Sequence, residues 1–371
     1  MQIEVVEIAR RLIRIPSASR YESRLADEIE DILRPIEVRR QRVGDIGFNL
    51  ISEYRGSENS PTIVLNGHMD TVEPVKSWSR DPYSPDIEGG KLYGLGSADM
   101  KGGLSAIIWA YRRAVKEKLP VNLIFTAVVD EEINSQGAYE LLKEIKGDIA
   151  LIAEPTGEKM MLGARGRYVL DMAVKGRSSH GARPYKGVNS IECGAEIIKA
   201  LKSMKIPEKN GMKGSVAPLK IEGGGDFLSV PESCLIVIDR HVIPGESREL
   251  VMDGFKNLIE NLNLPCEVEI SWHSRPTPFL EPYSFSPDEG LIRDFASLYI
   301  EKYGELRTIC GESVGDYNLF AKYMPTVVYG PKGENWHSAD EFVYTDSLER
   351  VASFYYEFIR KVGDIHERKD P

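Results

Sequence analysis

Four short apolar runs, rich in β-branched residues and separated by stretches of helical periodicity, constrain the fold of this 371-residue chain most strongly. Residues 43–52, 61–66, 121–129 and 148–153 read as strands; 103–116 and 136–143, between the last three, read as helices. Strands alternating with helices imply an α/β layer with a largely parallel central sheet flanked by helices. Further helices are expected over 1–14, 21–33, 288–302 and 345–362, with Ser17 and Ser19 at cap positions between the first two.

Each apolar run ends on a residue with chemistry. PTIVLNG leads into His68-Met69-Asp70, NLIFTAVV into Asp130-Glu131-Glu132, and DIALIA into Glu154-Pro155-Thr156. Downstream, TVVYG precedes Trp336-His337-Ser338-Ala339-Asp340-Glu341, and Asp99, in GLGSADMKGG, stands where helix 103–116 begins. Taken singly, each of these is as readily a turn with a solvated acid. Together they fall at strand ends, where open α/β sheets build their sites. His68 and Asp70 are two apart in extended chain and project to one side, so an imidazole can bind metal while the acid holds nearby structure. Residues 78–83 (WSRDPY) read as a packing loop.

From about Gly163 the pattern changes. Strands at 167–175, 217–223, 233–241 and 267–274 and helices at 189–204 and 246–262 follow in the order β-α-β-β-α-β, that of a ferredoxin-like α+β sandwich.

With 42% apolar residues the chain can fill one large or two ordinary cores. A net charge of −10 and a pI near 5.3 argue against nucleic acid or an anionic membrane as partner. The first 19 residues alternate apolar and charged positions, too broken a pattern for a signal peptide or anchor. Neither GxxxxGK[ST] nor a strand-linked GxGxxG occurs, which removes the common nucleotide sites. Cys193, Cys234, Cys266 and Cys310 are widely spaced without a CxxC pair, and read as thiols of a reducing, cytoplasmic compartment.

GHMDTV, LYGLGSADMKGG, DEEINSQGA, AEPTG, GRSSHGARP and WHSADE stand in the order found in the dizinc aminoacylase/carboxypeptidase family. That family includes acetylornithine deacetylase, succinyl-diaminopimelate desuccinylase and glutamate-releasing carboxypeptidases, and the chain resembles it over nearly its whole length. The resemblance implies a catalytic domain of residues 1–163 and 276–371, with a lid domain of residues 164–275 inserted and carrying a homodimer contact. It implies His68 and Glu154 as ligands of one metal, Glu132 and His337 of a second, Asp99 bridging both, and a cis peptide after Asp99. It further implies Glu131 as general base, Asp70 orienting His68, His180 stabilising the oxyanion, often across a dimer, and Arg240 reading a substrate carboxylate. Arg240 reads equally well as a salt-bridging strand residue. His241, His273 and His366 match nothing in the family and read as structural or exposed.

A charge count agrees with this ligand set. Three carboxylates and one hydroxide balance the four positive charges of two divalent ions, and imidazole with carboxylate suits Zn²⁺, with Co²⁺ or Mn²⁺ as substitutes. Such ions bring the pKa of bound water toward neutrality.

Three departures bear on substrate. Leu228 stands where many relatives have asparagine; Gly163-Ala164-Arg165-Gly166 replaces a turn that in desuccinylases often carries adjacent arginines; and Gly333 replaces an asparagine four residues before the last metal histidine. The expected activity is therefore hydrolysis of an amide next to a free carboxylate, in an N-acyl amino acid or a peptide. Acetylornithine or succinyl-diaminopimelate deacylation is the alternative within the class. A catalytically inactive metal- or peptide-binding protein on the same scaffold is the alternative outside it, and the intact Glu131 argues against it.

Overall fold

The computed structural model describes residues 4–209, 211–225 and 227–367. It divides into two units, one of residues 1–163, 284–309 and 315–371, the other of residues 164–283 and 310–314.

The first unit is built on a mixed sheet ordered Arg39–Val43, Gly47–Arg55, Asn122–Val128, Thr62–His68, Ile149–Ile152, Thr326–Val328, Met160–Ala164. Its four central strands, from Asn122–Val128 to Thr326–Val328, are parallel. After Thr62–His68 the chain pairs first on one side, with Asn122–Val128, and then crosses to the other, with Ile149–Ile152. Loops leaving the strand ends diverge at such a reversal and open a crevice there. The register puts His68 beside Val128 and Asn66 beside Ile152, so the three segments after these strands leave from one edge of the sheet.

Helix Lys101–Lys116 fills the first crossover and buries Leu104, Ala106, Ile107, Ile108 and Tyr111. Its approach depends on two glycines. A Cβ on Gly103 would lie 1.8 Å from the carbonyl oxygen of Ala153, and one on Gly102 would lie 2.3 Å from that of Ser97. The long helix Thr345–Glu367 places Leu348, Val351, Ala352, Tyr355, Phe358, Ile359 and Val362 in the same core, the i, i+3, i+4 stripe of an amphipathic helix.

The second unit is a four-stranded antiparallel sheet ordered Ser215–Gly223, Ser233–Val242, Gly166–Lys175, Glu267–Trp272. Helices Ser190–Leu201 and Arg248–Leu262 contribute Cys193, Ile197, Leu201, Val251 and Phe255 to a core with Tyr168, Leu170, Met172, Ile236 and Ile238. This is the expected ferredoxin-like order.

Three local expectations are corrected. Residues 43–52 are not one strand: a turn at 44–46, with Gly44 at φ +48°, makes a hairpin of Arg39–Val43 and Gly47–Arg55. Ser17 and Ser19 cap no helix; their hydroxyls donate to the Met69 carbonyl (2.9 Å) and the Asp70 carboxylate (2.7 Å). Among the cysteines, Cys193 and Cys266 form a disulfide, while Cys234 is a buried and Cys310 an exposed thiol. A pairing across 73 residues leaves no local pattern to read, and the spacing argument for a reducing compartment lapses with it. The segment HERKDP, 366–371, reads from sequence as a loose tail, but the last helix runs through Glu367; residues 1–3, expected as a helix start, and 368–371 lie outside the described residues. No helix among the described residues is long and apolar enough to cross a membrane.

Closing a loop of 73 residues is worth about 4 kcal/mol in the chain-entropy account of disulfides. Cys193→Ser is accordingly expected to lower the urea midpoint of unfolding, and dithiothreitol to do the same to the unsubstituted protein. Midpoints that coincide with and without reductant would remove the bond from the stability of the fold.

Candidate metal centre

His68 is the last residue of its strand and is 1% exposed. Its Nδ1 lies 2.9 Å from the carbonyl oxygen of Asp70. A carbonyl only accepts, so Nδ1 carries the proton and Nε2 is left with its lone pair free for a ligand. The Asp70 carboxylate stands 3.6 Å from the same Nδ1 and has a second task. It accepts from the Ser19 hydroxyl (2.7 Å) and from the backbone N–H groups of Glu131 and Glu132 (3.1 Å each), tying one strand end to the next. Asp130, at φ +63°, turns the chain there.

Asp99 presents one oxygen to each histidine: Oδ1 lies 3.2 Å from His68 Nε2, and Oδ2 lies 3.4 Å from His337 Nε2. Glu154 Oε1 is 3.7 Å from His68 Nε2, and Glu132 Oε2 is 3.0 Å from His337 Nε2. Donor atoms of His68, Asp99 and Glu154 lie within 4.8 Å of one another, as do those of Asp99, Glu132 and His337. A third group, His68, Glu131 and Glu132, meets the same limit. The peptide bond after Asp99 is cis.

The electrostatics of the site favour a bound cation. Burial, reinforced by the charge of Asp99, pushes Glu154 well above the ordinary carboxylate range, and burial with the nearby acids Asp316 and Glu154 does the same to Glu131. Glu132 is raised by burial against the pull of the His337 hydrogen bond. Asp99 moves the other way: burial would raise it, but the hydrogen bonds of His337 and His68 prevail. Hydrogen bonds to Asp99 and Glu132 carry His337 up to about 10. Glu131, Glu132, Glu154 and both imidazoles are thus driven to hold protons while Asp99 is held ionised, and divalent ions displace such protons when they bind a donor set of this kind.

Sequence reasoning missed most of the support. Glu341, 1% exposed, accepts from the N–H groups of Gly96 (2.7 Å), Ala98 (2.8 Å) and Asp99 (3.0 Å), so one carboxylate holds the whole bridging loop. The available signal was an acid beginning the strand-like run EFVY. Lys101, also buried, donates to the carbonyl of Ile15 at 2.8 Å. Asp340 accepts from the N–H (3.0 Å) and hydroxyl (2.8 Å) of Ser79 and fastens the loop read as packing.

The structure brings together His68, Asp70, Asp99, Glu131, Glu132, Glu154 and His337, all in the first unit. His180 and Arg240 belong to the second. His180 is exposed, with Nδ1 accepting from the N–H of Ala182 at 3.1 Å. Arg240 is 3% exposed and forms a close ion pair with Glu246. Of the unmatched histidines, His273 lies 2.8 Å from Asp171 and His241 lies 3.5 Å from Asp239. The side chain of His366 lies outside the described residues.

The model of peptidase family M20/M25/M40 matches residues 64–361 of the chain. A tripeptidase from Staphylococcus aureus subsp. aureus superposes with TM-score 0.79 at 21% identity, over 97% of this chain and 98% of that one. An M20 family metallo-carboxypeptidase from Sulfolobus solfataricus gives TM-score 0.73 at 17% identity, over 97% and 98%. A dinuclear metal-binding peptidase of the M20 family from Bacillus subtilis gives TM-score 0.76 at 15% identity, over 97% of both chains. At these identities the likeness is one of fold.

Proposed function

We propose, from the premise that the chain belongs to peptidase family M20/M25/M40, that it hydrolyses an amide bond adjacent to a free carboxylate, in a dipeptide, a peptide C-terminus or an N-acyl amino acid. The family makes the chain a metallopeptidase; substrate class, metal and assembly are the proposal. One observation carries it. Two groups of nitrogen and oxygen donors share Asp99, which turns a separate oxygen to each histidine.

His68, Asp99 and Glu154 would hold one ion and Asp99, Glu132 and His337 the other, both Zn²⁺ by the donor chemistry, with Co²⁺ or Mn²⁺ able to substitute. Bound there, such ions polarise a carbonyl and acidify water near neutral pH. Glu131 takes the proton of the attacking water and returns it to the leaving nitrogen, work that suits a carboxyl whose burial raises it above the ordinary carboxylate range. Asp70 keeps that base in place through the backbone of residues 131 and 132. His180 donates to the developing oxyanion. Arg240 remains the candidate reader of the substrate carboxylate, and a substrate would compete there with Glu246.

The protein is proposed to act as a homodimer through the second unit. Strand Ser215–Gly223 is an edge of its sheet, and it exposes Leu219 and Ile221 by 55% and 46%. An apolar open edge is a surface that pairing with a second copy would cover.

Turnover of matched substrates with free and amidated carboxylates tests the reading. kcat/KM is expected to fall sharply on amidation, and Arg240→Ala to erase much of the difference. Equal turnover of the two substrates would withdraw the carboxylate requirement.

A further inference from the structure

We propose that Gly315 is a positioning residue for the general base: its missing side chain is the space in which the Glu131 carboxylate sits. The inference rests on the reading of Glu131 given above. A Cβ at position 315 would lie 2.7 Å from Glu131 Oε1 and 2.7 Å from Cε1 of Tyr317. Both are well inside van der Waals contact, so something must move.

The backbone is the least free to do so. Gly315 N–H donates to Asn318 Oδ1 at 3.0 Å, and the Gly315 carbonyl accepts from Asn318 N–H at 3.0 Å. Tyr317 and Asn318 are 6% and 2% exposed, and Gly315 itself is buried. Conformation does not demand glycine, because φ −166° and ψ −170° are extended backbone open to any residue. A neighbour therefore excludes the side chain. Tyr317 is a rigid ring in the first turn of the buried helix Asp316–Ala321 and gives little, whereas the Glu131 carboxylate ends a flexible stem and is displaced from its place. It cannot yield far, since donors of His68 and Glu132 stand within 4.8 Å of it. Gly315 thus closes one side of the slot that aims the base.

Gly315→Ala should lower kcat by roughly 10- to 100-fold, the cost of misplacing a reacting group by about 1 Å. KM and metal content should be unchanged, while the contact with the Tyr317 ring should lower the melting temperature by the same amount in this background and in Glu131→Asp. In a Glu131→Asp background, where the carboxylate is drawn back by one methylene, the same substitution should cost less than about two-fold. Wild-type kcat in Gly315→Ala overturns the inference, as does an equal loss in both backgrounds or a loss that follows metal content. If Gly315→Ala does not fold, the double variant with Glu131→Ala decides. Recovered folding supports the slot; persistent unfolding assigns the space to Tyr317 and overturns it. Activity in Glu131→Ala alone would sink the reading of the base, and this inference with it. An inactive Glu131→Ala beside a fully active Gly315→Ala sinks only the inference.

Discussion

Glu131→Ala is expected to retain about two metal ions per chain while kcat falls by roughly 10²–10⁴, the range for removing a general acid–base group. The expectation follows from how the donors divide. Asp99, Glu154 and His68 can complete one ion and Asp99, Glu132 and His337 the other without Glu131, although Glu131 lies within 4.8 Å of His68 and Glu132 donors. A ligand and a base in that position are distinguished by what leaves with the side chain. Metal analysis of the purified variant beside its turnover number separates the two. Loss of both ions would mean that the roles of Glu131 and Glu132 have been exchanged. Chelation of the unsubstituted protein should abolish activity, and metal should restore it.

His180→Ala is expected to depress kcat by roughly 10²–10³ with little change in KM, because the oxyanion it meets exists only in the transition state. If the donor crosses to the partner of a homodimer, mixing inactive Glu131→Ala and His180→Ala subunits should restore part of the activity, since one hybrid site is then intact. The assay needs a preparation shown to contain heterodimers. No recovery there would place His180 in its own subunit's site or outside catalysis, and a KM effect without a kcat effect would make it a ground-state contact.

What could be read from the sequence depended on whether the relevant contact was local. A run such as PTIVLNG followed by His68-Met69-Asp70 carries its strand, its end and its ligand within ten residues, and β-branched composition suffices to place them. The roles of the side chains were less accessible. Asp70 was expected to orient His68; its carbonyl bonds the ring, and its carboxylate, 3.6 Å from the same ring nitrogen, also anchors residues 131 and 132. Glu341 stood inside a recognised motif, yet nothing near it shows that its carboxylate will meet three N–H groups some 240 residues earlier. Ser19 looked like a cap because a serine between two helices usually is one.

By itself the sequence determined the α/β alternation, the ferredoxin-like order of the second unit and the positions at which acids and histidines leave the strands. Each of these is a matter of periodicity and neighbouring residues, and hydrophobic burial selects among few arrangements of such elements. Only the tertiary structure decided that Asp99 offers one oxygen to each histidine, that Cys193 meets Cys266, and that Gly315 stands against the base. These are contacts between residues distant in the chain, fixed to fractions of an ångström by the packing of whole elements. No local propensity carries information at that distance.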